Sequence, residues 1–332
     1  MDDSEVCHPF SDSISSICFS PKHDYLAAGS WDGTVAIYGA HSLLESKLET
    51  TYHHQGPVLS VCWSEDGSKV LSSGADNVAL ILDAESGCVS QFARHKQPIK
   101  VVRSFENSHQ NIFVTGSWDK TVKLWDARTE GPVATIAILE RCYALDIRYP
   151  FMALGMASPQ FQTFDLRRST SSLKTITTRL NFPPRSVACF TSGPGFAAGS
   201  IEGRVAIQYF DDRMDLNNYS FRCHRGSQGT VYAVNDIVQH PIHGTLATCG
   251  SDGVISFWDQ HSRIPLGGLN GLPGPVPCAS FNRNGTLLAY AVSYDWSRGV
   301  AGMTLNHPNQ LMLHACQDHE VRRRVRGQDP VK

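Results

Sequence analysis

The sequence has few charged residues and no long apolar run. Only 18% of its 332 residues are Asp, Glu, Lys or Arg, and the formal net charge is -2. A charge this small disfavours a surface built as a whole to attract nucleic acid, so any such site must be local. Because no apolar run approaches the roughly 20 residues of a membrane helix, we expect no membrane insertion.

Several motifs that carry chemistry are also missing. No two of the ten cysteines form a Cys-x-x-Cys pair, which disfavours a structural zinc site. His240 and His243 have a spacing that suits a metal, but no further Cys or His accompanies them, so we interpret them as turn residues. A phosphate-binding glycine loop, a Gly-x-Ser-x-Gly elbow and a His-Glu-x-x-His motif are absent. We therefore expect no catalytic residue, no metal and no cofactor.

What the sequence does contain is a repeating unit. Each copy has an apolar strand, a strand of small residues that ends near a glycine, an acidic turn and a further strand. The glycines of six copies are Gly29, Gly74, Gly116, Gly155, Gly199 and Gly250. A seventh copy covers Leu287 to Asp295, with Ala291 near the glycine position. The spacings bracket the roughly 40–45 residues of a WD40 repeat.

The repeat predicts the fold. Four short strands per copy, without a long helical period, predict an all-β chain that forms a seven-bladed WD40 β-propeller. We expect residues 1–320 to form this single domain. The ring needs its ends joined, and Glu5–Phe10 is predicted to supply the outer strand of the last blade, beside Gln310–Cys316. The basic segment 321–332 is predicted to be a disordered tail.

A recurring set of His, Thr, Asp and Trp allows two interpretations. Its members are His95, Thr115, Asp119 and Trp125 in the third copy, and Thr248, Asp252 and Trp258 in the sixth, with His224 as a looser candidate. A His–Thr–Asp set is also found in hydrolases. Because the set recurs at the repeat period and its Asp lies in a turn, we predict a structural hydrogen-bond network.

One hairpin loop carries a large apolar residue in several copies. The residues just before the turn acid include Trp31, Trp118, Ile201 and Tyr294. In a propeller these loops gather on one face, around the central channel, where a cluster of apolar groups predicts a binding site. The alternative is that each ring packs on its neighbouring blade.

Two arginines accompany this face. Arg204 begins the strand after the same turn in the fifth copy, and Arg225 lies in a connecting segment. Guanidinium groups pair well with the carboxylates of a partner. The alternative is an ion pair within the chain, for example between Arg204 and Glu202.

Longer strings resemble one family. They are Glu140-Arg-Cys-Tyr143, Gly199-Ser-Ile-Glu-Gly-Arg-Val-Ala-Ile207, Cys223-His-Arg225 and Ser293-Tyr-Asp-Trp-Ser297. These strings are similar to those of the nuclear-pore mRNA export factors, a family of WD40 propellers, and the resemblance extends over nearly the whole chain. The second and third strings also occur in a sister family, the mitotic spindle-checkpoint propellers. The first and last favour the export factors.

The resemblance implies a non-catalytic adaptor that binds a GLEBS-type segment of an FG nucleoporin and supports mRNA export. It implies a location in the nucleus, at the nuclear envelope and nuclear pore complex, and also in the cytoplasm. Trp31, Trp118 and Arg204 match family positions that line the segment, and Arg225 is expected to meet a further carboxylate. The alternative is a spindle-checkpoint adaptor that binds GLEBS-like segments of checkpoint kinases.

The same resemblance implies a second patch for single-stranded RNA or an mRNA–protein particle, and a role with mitotic spindle components. Phe221, Trp258 and Arg263 match this patch, where aromatic stacking and positive charge suit single-stranded nucleic acid. Gln260 and Pro265 stand where the relatives usually have lysine. The arginines of the tail, Arg322-Arg-Arg324 and Arg326, are an alternative source of positive charge.

Overall fold

The computed structural model describes residues 3–108, 110–167, 172–191, 193–304 and 306–323. In these ranges the strands form seven four-stranded antiparallel sheets, so the chain is a seven-bladed β-propeller and the predicted fold class is confirmed. The sheets are numbered here as blades 1 to 7. Strands a to d of a blade run from its inner to its outer edge, because the a strands of successive blades contact one another around the channel.

The strands of the first six blades follow one another along the chain. Blades 1 to 3 comprise Ile14–Phe19, Tyr25–Ser30, Thr34–Ala40 and Ser46–His53; Val58–Trp63, Lys69–Gly74, Val78–Asp83 and Val89–Arg94; and Ile99–Asn107, Gln110–Ser117, Thr121–Asp126 and Pro132–Ala137. Blades 4 to 6 comprise Cys142–Arg148, Phe151–Met156, Ser158–Asp165 and Lys174–Thr177; Pro184–Cys189, Gly195–Ser200, Arg204–Tyr209 and Tyr219–Arg222; and Val234–Gln239, Leu246–Gly250, Ile255–Asp259 and Ile264–Leu269.

Blade 7 takes strands from both ends of the chain. Its strands a to c are Ala279–Phe281, Leu287–Val292 and Gln310–Ala315, and its outer strand is Ser4–Val6. Ser4–Val6 pairs antiparallel with Gln310–Ala315, with Glu5 opposite Met312. The segment Glu5–Phe10, predicted for this position, shares two residues with that strand. Short 3-10 turns at Asp212–Asn217, Ser227–Gly229 and Val300–Gly302 and an α-helix at Asp318–Val321 complete the elements of the described ranges.

The glycine of the repeat lets neighbouring blades approach closely. A Cβ atom added at Gly29 would lie 2.5 Å from Cγ1 of Val58 in the next blade, and one at Gly116 would lie 2.5 Å from Sγ of Cys142. Both distances are shorter than van der Waals contact, so a larger residue would push the blades apart. Contact between blades therefore requires glycine at these positions, whereas Gly74 and Gly250 are closely approached by the histidine and aspartate of their own blade networks.

The hydrophobic core lies between blades. One cluster joins blade 7 to blade 1 and includes Ile14, Leu26 and Leu313, each buried. Hydroxyl groups on the inner strands add hydrogen bonds across the same gaps: Ser186 Oγ accepts from the backbone N of Ile237 at 3.0 Å. Because each sheet buries both faces against its neighbours, closing the ring is part of forming the core.

The blade network of His, Thr, Asp and Trp is present in blade 3. His95 hydrogen-bonds to Thr115 Oγ1 at 2.7 Å and to Asp119 Oδ2 at 3.0 Å, and Trp125 Nε1 donates to the same hydroxyl at 2.8 Å. Burial lowers the pKa of His95, whose side chain has no exposed surface. The Thr115 hydroxyl is enclosed by its partners, so the structural interpretation of this set is confirmed.

Blade 6 has the same network, and blade 2 has a variant that the sequence pattern did not reveal. In blade 6, His224 hydrogen-bonds to Thr248 and Asp252, each at 2.9 Å. In blade 2, His54 bonds to Ser72 at 2.8 Å and to Asp76 at 2.9 Å. Blade 2 escaped notice because Leu82 occupies the tryptophan position and serine replaces threonine.

The predicted tail boundary is too early. Val321 ends the helix Asp318–Val321 and is 2% exposed, and its carbonyl accepts from Thr245 Oγ1 at 2.7 Å. Arg323 Nε donates to the carbonyl of His243 at 2.7 Å. Residues 321–323 are therefore packed on blade 6, and disorder beginning at residue 321 is a wrong prediction. Arg324 and Arg326, with the rest of 324–332, lie outside the described residues.

Candidate binding face

One end of the propeller collects the loops that the repeat register singled out. Because adjacent strands of a blade are antiparallel, the b–c hairpins and the d–a connections lie at the same end, here called the top face. Trp31, Trp118 and Ile201 stand in b–c hairpins of blades 1, 3 and 5. Arg204 begins strand c of blade 5, and Arg225 lies in the connection to blade 6. The five residues are thus brought to one end.

Trp31 belongs to an aromatic pair on this face. Its ring stacks on that of Trp296, with centroids 4.2 Å apart and planes 22° from parallel. Both residues are half-buried. Trp296 has a φ of 58°, a left-handed conformation that a bulky residue adopts at a cost of roughly 1–3 kcal/mol and that tends to occur at functional sites. The pair presents a rigid aromatic surface to solvent.

Tyr294 does not reach the surface. It is 3% exposed, its ring stacks on His307 with centroids 4.5 Å apart, and its hydroxyl donates to the carbonyl of Gly299 at 2.7 Å. The prediction that Tyr294 contacts a partner is therefore wrong. It packs beneath Trp296 instead, with ring centroids 5.6 Å apart. Trp296 is the residue that sequence reasoning missed, although it stands two positions later in the same aromatic string.

Other apolar residues of the top face are exposed. Ile201 is 46% exposed, and Trp118 is half-buried. The d–a connections and the long loop of blade 7 add apolar residues that the sequence pattern did not single out: Leu139, Phe182, Val231 and Val300, with exposures of 57%, 49%, 41% and 80%. Several exposed apolar residues on one face are typical of an interaction surface.

Arg204 is only partly neutralised within the chain. Its Nε lies 3.9 Å from Glu202 Oε2, a long ion pair, and its Nη1 donates to Ser220 Oγ at 3.4 Å. The Glu202 carboxylate also accepts from the backbone N of Asn181 at 2.7 Å. The ion pair between Arg204 and Glu202, which the sequence offered as the alternative to partner binding, is therefore present. The arginine side chain is 22% exposed, and its remaining donors are available to a partner.

Arg225 is exposed beside Arg204. Its Nη2 donates to the backbone carbonyl of Glu202 at 3.0 Å, so the second arginine is held next to the same hairpin. An isolated bridge between Arg225 and Val231 shapes the connection around it. The two guanidinium groups form a basic edge beside the apolar residues of the top face.

Most of the unpartnered buried N–H groups of the described residues lie on the top face. Among the described residues, four buried side-chain N–H groups have no hydrogen-bond acceptor: Trp118 Nε1, Arg204 Nε, Trp296 Nε1 and Gln260 Nε2. Three of them belong to the top face. Leaving a buried donor without an acceptor costs roughly 1–3 kcal/mol. This idle hydrogen-bonding capacity lies beside the exposed apolar residues of the top face.

The residues of the second patch also come together, at the outer edge of blades 5 and 6. The rings of Phe221 and Trp258 have centroids 4.6 Å apart, and the guanidinium of Arg263 lies 4.4 Å from the ring centre of Tyr219. Gln260 is 4% exposed, and its side-chain amide has no partner among the described residues. Trp258 serves the blade as well, because its Nε1 donates to Thr248 Oγ1 at 3.0 Å.

His240 and His243 act as structural residues of a turn. His240 is buried, its Nε2 lies 3.1 Å from the carbonyl of Gly285, and its Nδ1 accepts from the backbone N of His243 at 3.0 Å. His243 pairs with Asp318 at 2.9 Å. In the part of the chain that the structure describes, no three His, Cys, Asp or Glu side chains cluster as metal ligands would. The helices of that part are too short or too polar to span a membrane.

The fold and the repeats define the class: the chain is a WD40-repeat β-propeller. The family model for the WD domain, G-beta repeat, matches residues 4–39, 45–83, 86–126 and 217–259. A solved structure titled "Structure of U3-55K" superposes with a TM-score of 0.81, covering 95% of this chain and 98% of the other, at 16% identity. At that identity the likeness concerns the fold alone.

Relatives of higher identity define the family. The chain is 44% identical to the Poly(A)+ RNA export protein of Schizosaccharomyces pombe, covering 97% of this chain and 93% of the relative. It is 41% identical to the mRNA export factor GLE2 of Chaetomium thermophilum (97% and 92% covered) and 39% identical to Protein Rae1 of Drosophila melanogaster (98% and 97%). The chain belongs to this family of WD40-repeat mRNA export factors, as its sequence strings indicated.

Proposed function

We propose that the chain is a non-catalytic adaptor of mRNA export at the nuclear pore. Its top face holds a GLEBS-type segment of an FG nucleoporin, and the protein works in the nucleus, at the nuclear envelope and in the cytoplasm. The family names of the relatives, which refer to export of mRNA or poly(A)+ RNA, support the role in export. A further role with spindle components belongs to the same proposal.

One observation carries the choice of the top face. Trp118, Trp296 and Arg204 each keep a buried N–H donor without an acceptor, inside a surface that also exposes Trp31 and Ile201. Backbone carbonyls of an extended segment supply acceptors, its apolar side chains cover the aromatic rings, and its carboxylates meet the arginines. Large aromatic and arginine side chains in such a setting are typical binding hot spots.

The test is titration calorimetry with a synthetic GLEBS peptide from the host's FG nucleoporin. The wild-type chain should bind, and Arg204→Glu should weaken binding by about 2–4 kcal/mol, because it places a second carboxylate opposite the partner's. Arg213→Glu is the matched control. Arg213 lies in the c–d connection of the same blade, at the opposite end, and is 89% exposed.

The outcomes separate the alternatives. Undiminished binding by a folded Arg204→Glu variant would rule out this site for the peptide. If the wild type fails to bind the nucleoporin peptide but captures GLEBS-like segments of checkpoint kinases, the spindle-checkpoint adaptor becomes the better proposal.

RNA binding at the second patch is a further candidate function. Phe221, Tyr219 and Trp258 form an aromatic surface beside Arg263, which suits base stacking together with contact to a phosphate. Fluorescence anisotropy with a labelled single-stranded RNA tests this. Retention of full affinity in Arg263→Glu would reject the patch as the RNA site.

A further inference from the structure

The inner strands of the propeller share an irregularity at their top ends. In blades 1 to 6 the register of strand a shifts at its second residue, which is a β-bulge. The six bulge residues are Ser15, Leu59, Lys100, Tyr143, Arg185 and Asn235. A bulge releases its residue from the ladder and re-aims the side chain. These residues therefore ring the top of the central channel.

Most polar members of the ring are engaged. Ser15 donates to two backbone carbonyls, and Asn235 donates to Asp295 Oδ2 at 3.1 Å. Arg185 donates to the carbonyl of Asp295 at 2.9 Å and lies 3.8 Å from its carboxylate. Lys100 differs, because its ammonium has no hydrogen bond or ion pair with any residue in the described ranges, although it is half-buried.

The anions of the channel have other partners. Arg103 forms an ion pair with Asp146, with its Nε 3.1 Å from Oδ1. Asp236 accepts from Ser186 Oγ at 2.9 Å and from the backbone N of Ala279 at 3.2 Å. Burial and the nearby charge of Arg185 lower the pKa of Lys100 to about 8, against the opposing effect of Asp236. The ammonium therefore sits in a confined space beside a second cation, and a counter-anion would stabilise it.

We propose that the top of the central channel, between Lys100 and Arg185, binds an oxyanion, that is, a phosphate or a carboxylate group. Lys100 supplies an ammonium with all its donors free. Arg185 supplies a second positive charge that Asp295 only partly offsets. Tyr143, the bulge residue of the blade between them, supplies a phenol hydroxyl with no hydrogen-bond partner among the described residues.

Two sources fit this chemistry. One is a free inorganic ion that enters the channel from the top face. The other is an acidic side chain of the segment held on that face, and this source rests on the proposed function. Continuity favours access from the top face, because Asp295, which binds Arg185, directly precedes Trp296 of the aromatic pair.

The first experiment tests the free ion. Inorganic phosphate is titrated into the full chain by calorimetry in a phosphate-free buffer at pH 7, and acylation of Lys100 is followed by mass spectrometry with and without phosphate. Binding and protection of Lys100 are expected, with a loss of affinity of about tenfold in Lys100→Gln. Lys47→Gln, which removes an 80% exposed lysine of blade 1, is the control and should bind as the wild type does.

The second experiment tests the carboxylate of a partner. GLEBS peptide is titrated into Lys100→Gln, Lys100→Arg and Lys47→Gln. A loss in Lys100→Gln that Lys100→Arg restores, without phosphate binding to the free chain, supports the oxyanion site with the partner as its source. Absence of any Lys100 effect on either ligand overturns the proposal. If no peptide binds the wild type, the proposed function fails, and the phosphate titration alone decides the oxyanion site.

If Lys100→Gln fails to fold, the protection of Lys100 from acylation in the wild-type chain still tests whether the oxyanion site exists. Equal labelling of Lys100 at zero and saturating phosphate, with no heat of binding, then counts against the free ion. Equal labelling with and without peptide counts against the partner's carboxylate, and both results together overturn the site.

Discussion

The top face and the second patch use the same residue types in different states of engagement. Both combine tryptophan with arginine. In the second patch, Trp258 Nε1 donates into its blade and Arg263 lies over Tyr219. On the top face, Trp296 Nε1 and Arg204 Nε are buried without acceptors. The comparison indicates that a tryptophan held by the blade network serves stability first, whereas one with an idle donor is free to serve binding.

The largest effect expected from this comparison is on stability. Trp258→Ala should lower the free energy of unfolding by about 3 kcal/mol, because it removes a large packed ring and leaves Thr248 without its indole donor. Trp31→Ala should lower it by no more than about 1 kcal/mol, since that ring packs on Trp296 at the surface. Urea unfolding followed by circular dichroism measures both. Equal losses would erase the distinction between the two tryptophans.

Binding of the GLEBS peptide should depend on the tryptophans of the top face, which contribute less to stability than Trp258. Trp31→Ala and Trp296→Ala should each weaken binding of the GLEBS peptide by about 2–3 kcal/mol, as expected for an aromatic hot spot. Leu44→Ala is a matched control, because Leu44 is 92% exposed and lies in the c–d connection, at the opposite end of blade 1. Peptide calorimetry measures all three variants. Wild-type affinity in both tryptophan variants would remove the aromatic pair from the site.

The second patch is tested with Phe221→Ala, which keeps the hydrogen bond from Trp258 to Thr248. Phe221→Ala should reduce affinity for single-stranded RNA by about 1–3 kcal/mol, the usual value of one base stacked on an aromatic ring. It should leave peptide binding at the top face unchanged, because the Phe221 ring packs toward Trp258 of blade 6, whereas Arg204 bonds to Ser220. Anisotropy with labelled RNA and calorimetry with peptide, on the same preparation, measure the two effects. A parallel loss of both ligands would indicate a disturbed fold or a shared site.

The smallest expected effect is that of salt. If Arg263 neutralises one phosphate of single-stranded RNA, raising salt fourfold should lower RNA affinity by about threefold, from a slope of about 0.7 per contact. Arg263→Gln should abolish that dependence. Arg204 is only 22% exposed, so its contribution to peptide binding should be less screened. Titrations at two salt concentrations decide this. A salt effect that persists in Arg263→Gln would assign the phosphate contact to another cation.

Much of the fold was readable from local spacing. Glycine recurs where two blades touch, as Gly29 against Val58 and Gly116 against Cys142, so contact between blades imprints a period on the sequence. The networks of blades 3 and 6 were readable because their members recur at similar spacings in the two copies. The end of the propeller domain was not. Val321 looks like part of a basic tail, and only its burial on blade 6 shows that it belongs to the domain.

The candidate site was readable in part. The register placed Trp31, Trp118 and Ile201 in equivalent hairpins, and antiparallel strands carry equivalent hairpins to one face. The same register included Tyr294, which is buried because a long loop folds back to supply His307 and Gly299. Such contacts depend on how the loop returns, and no local pattern encodes them. The role of Trp296 as the exposed partner of Trp31 was hidden for the same reason.

The sequence by itself determined the number of blades, the gathering of equivalent hairpins on one face, and the family. Each of these follows from the spacing of the repeats and from local sequence strings. The tertiary structure decided which side chains are exposed, which donors lack acceptors, and that Lys100 stands unpaired beside Arg185 in the channel. Lys100 and Arg185 stand on the inner strands of blades 3 and 5, and closure of the ring turns both strands toward the channel. Residues far apart in the chain become neighbours through that closure. Their interaction depends on the tertiary structure and produces no periodic pattern in the sequence.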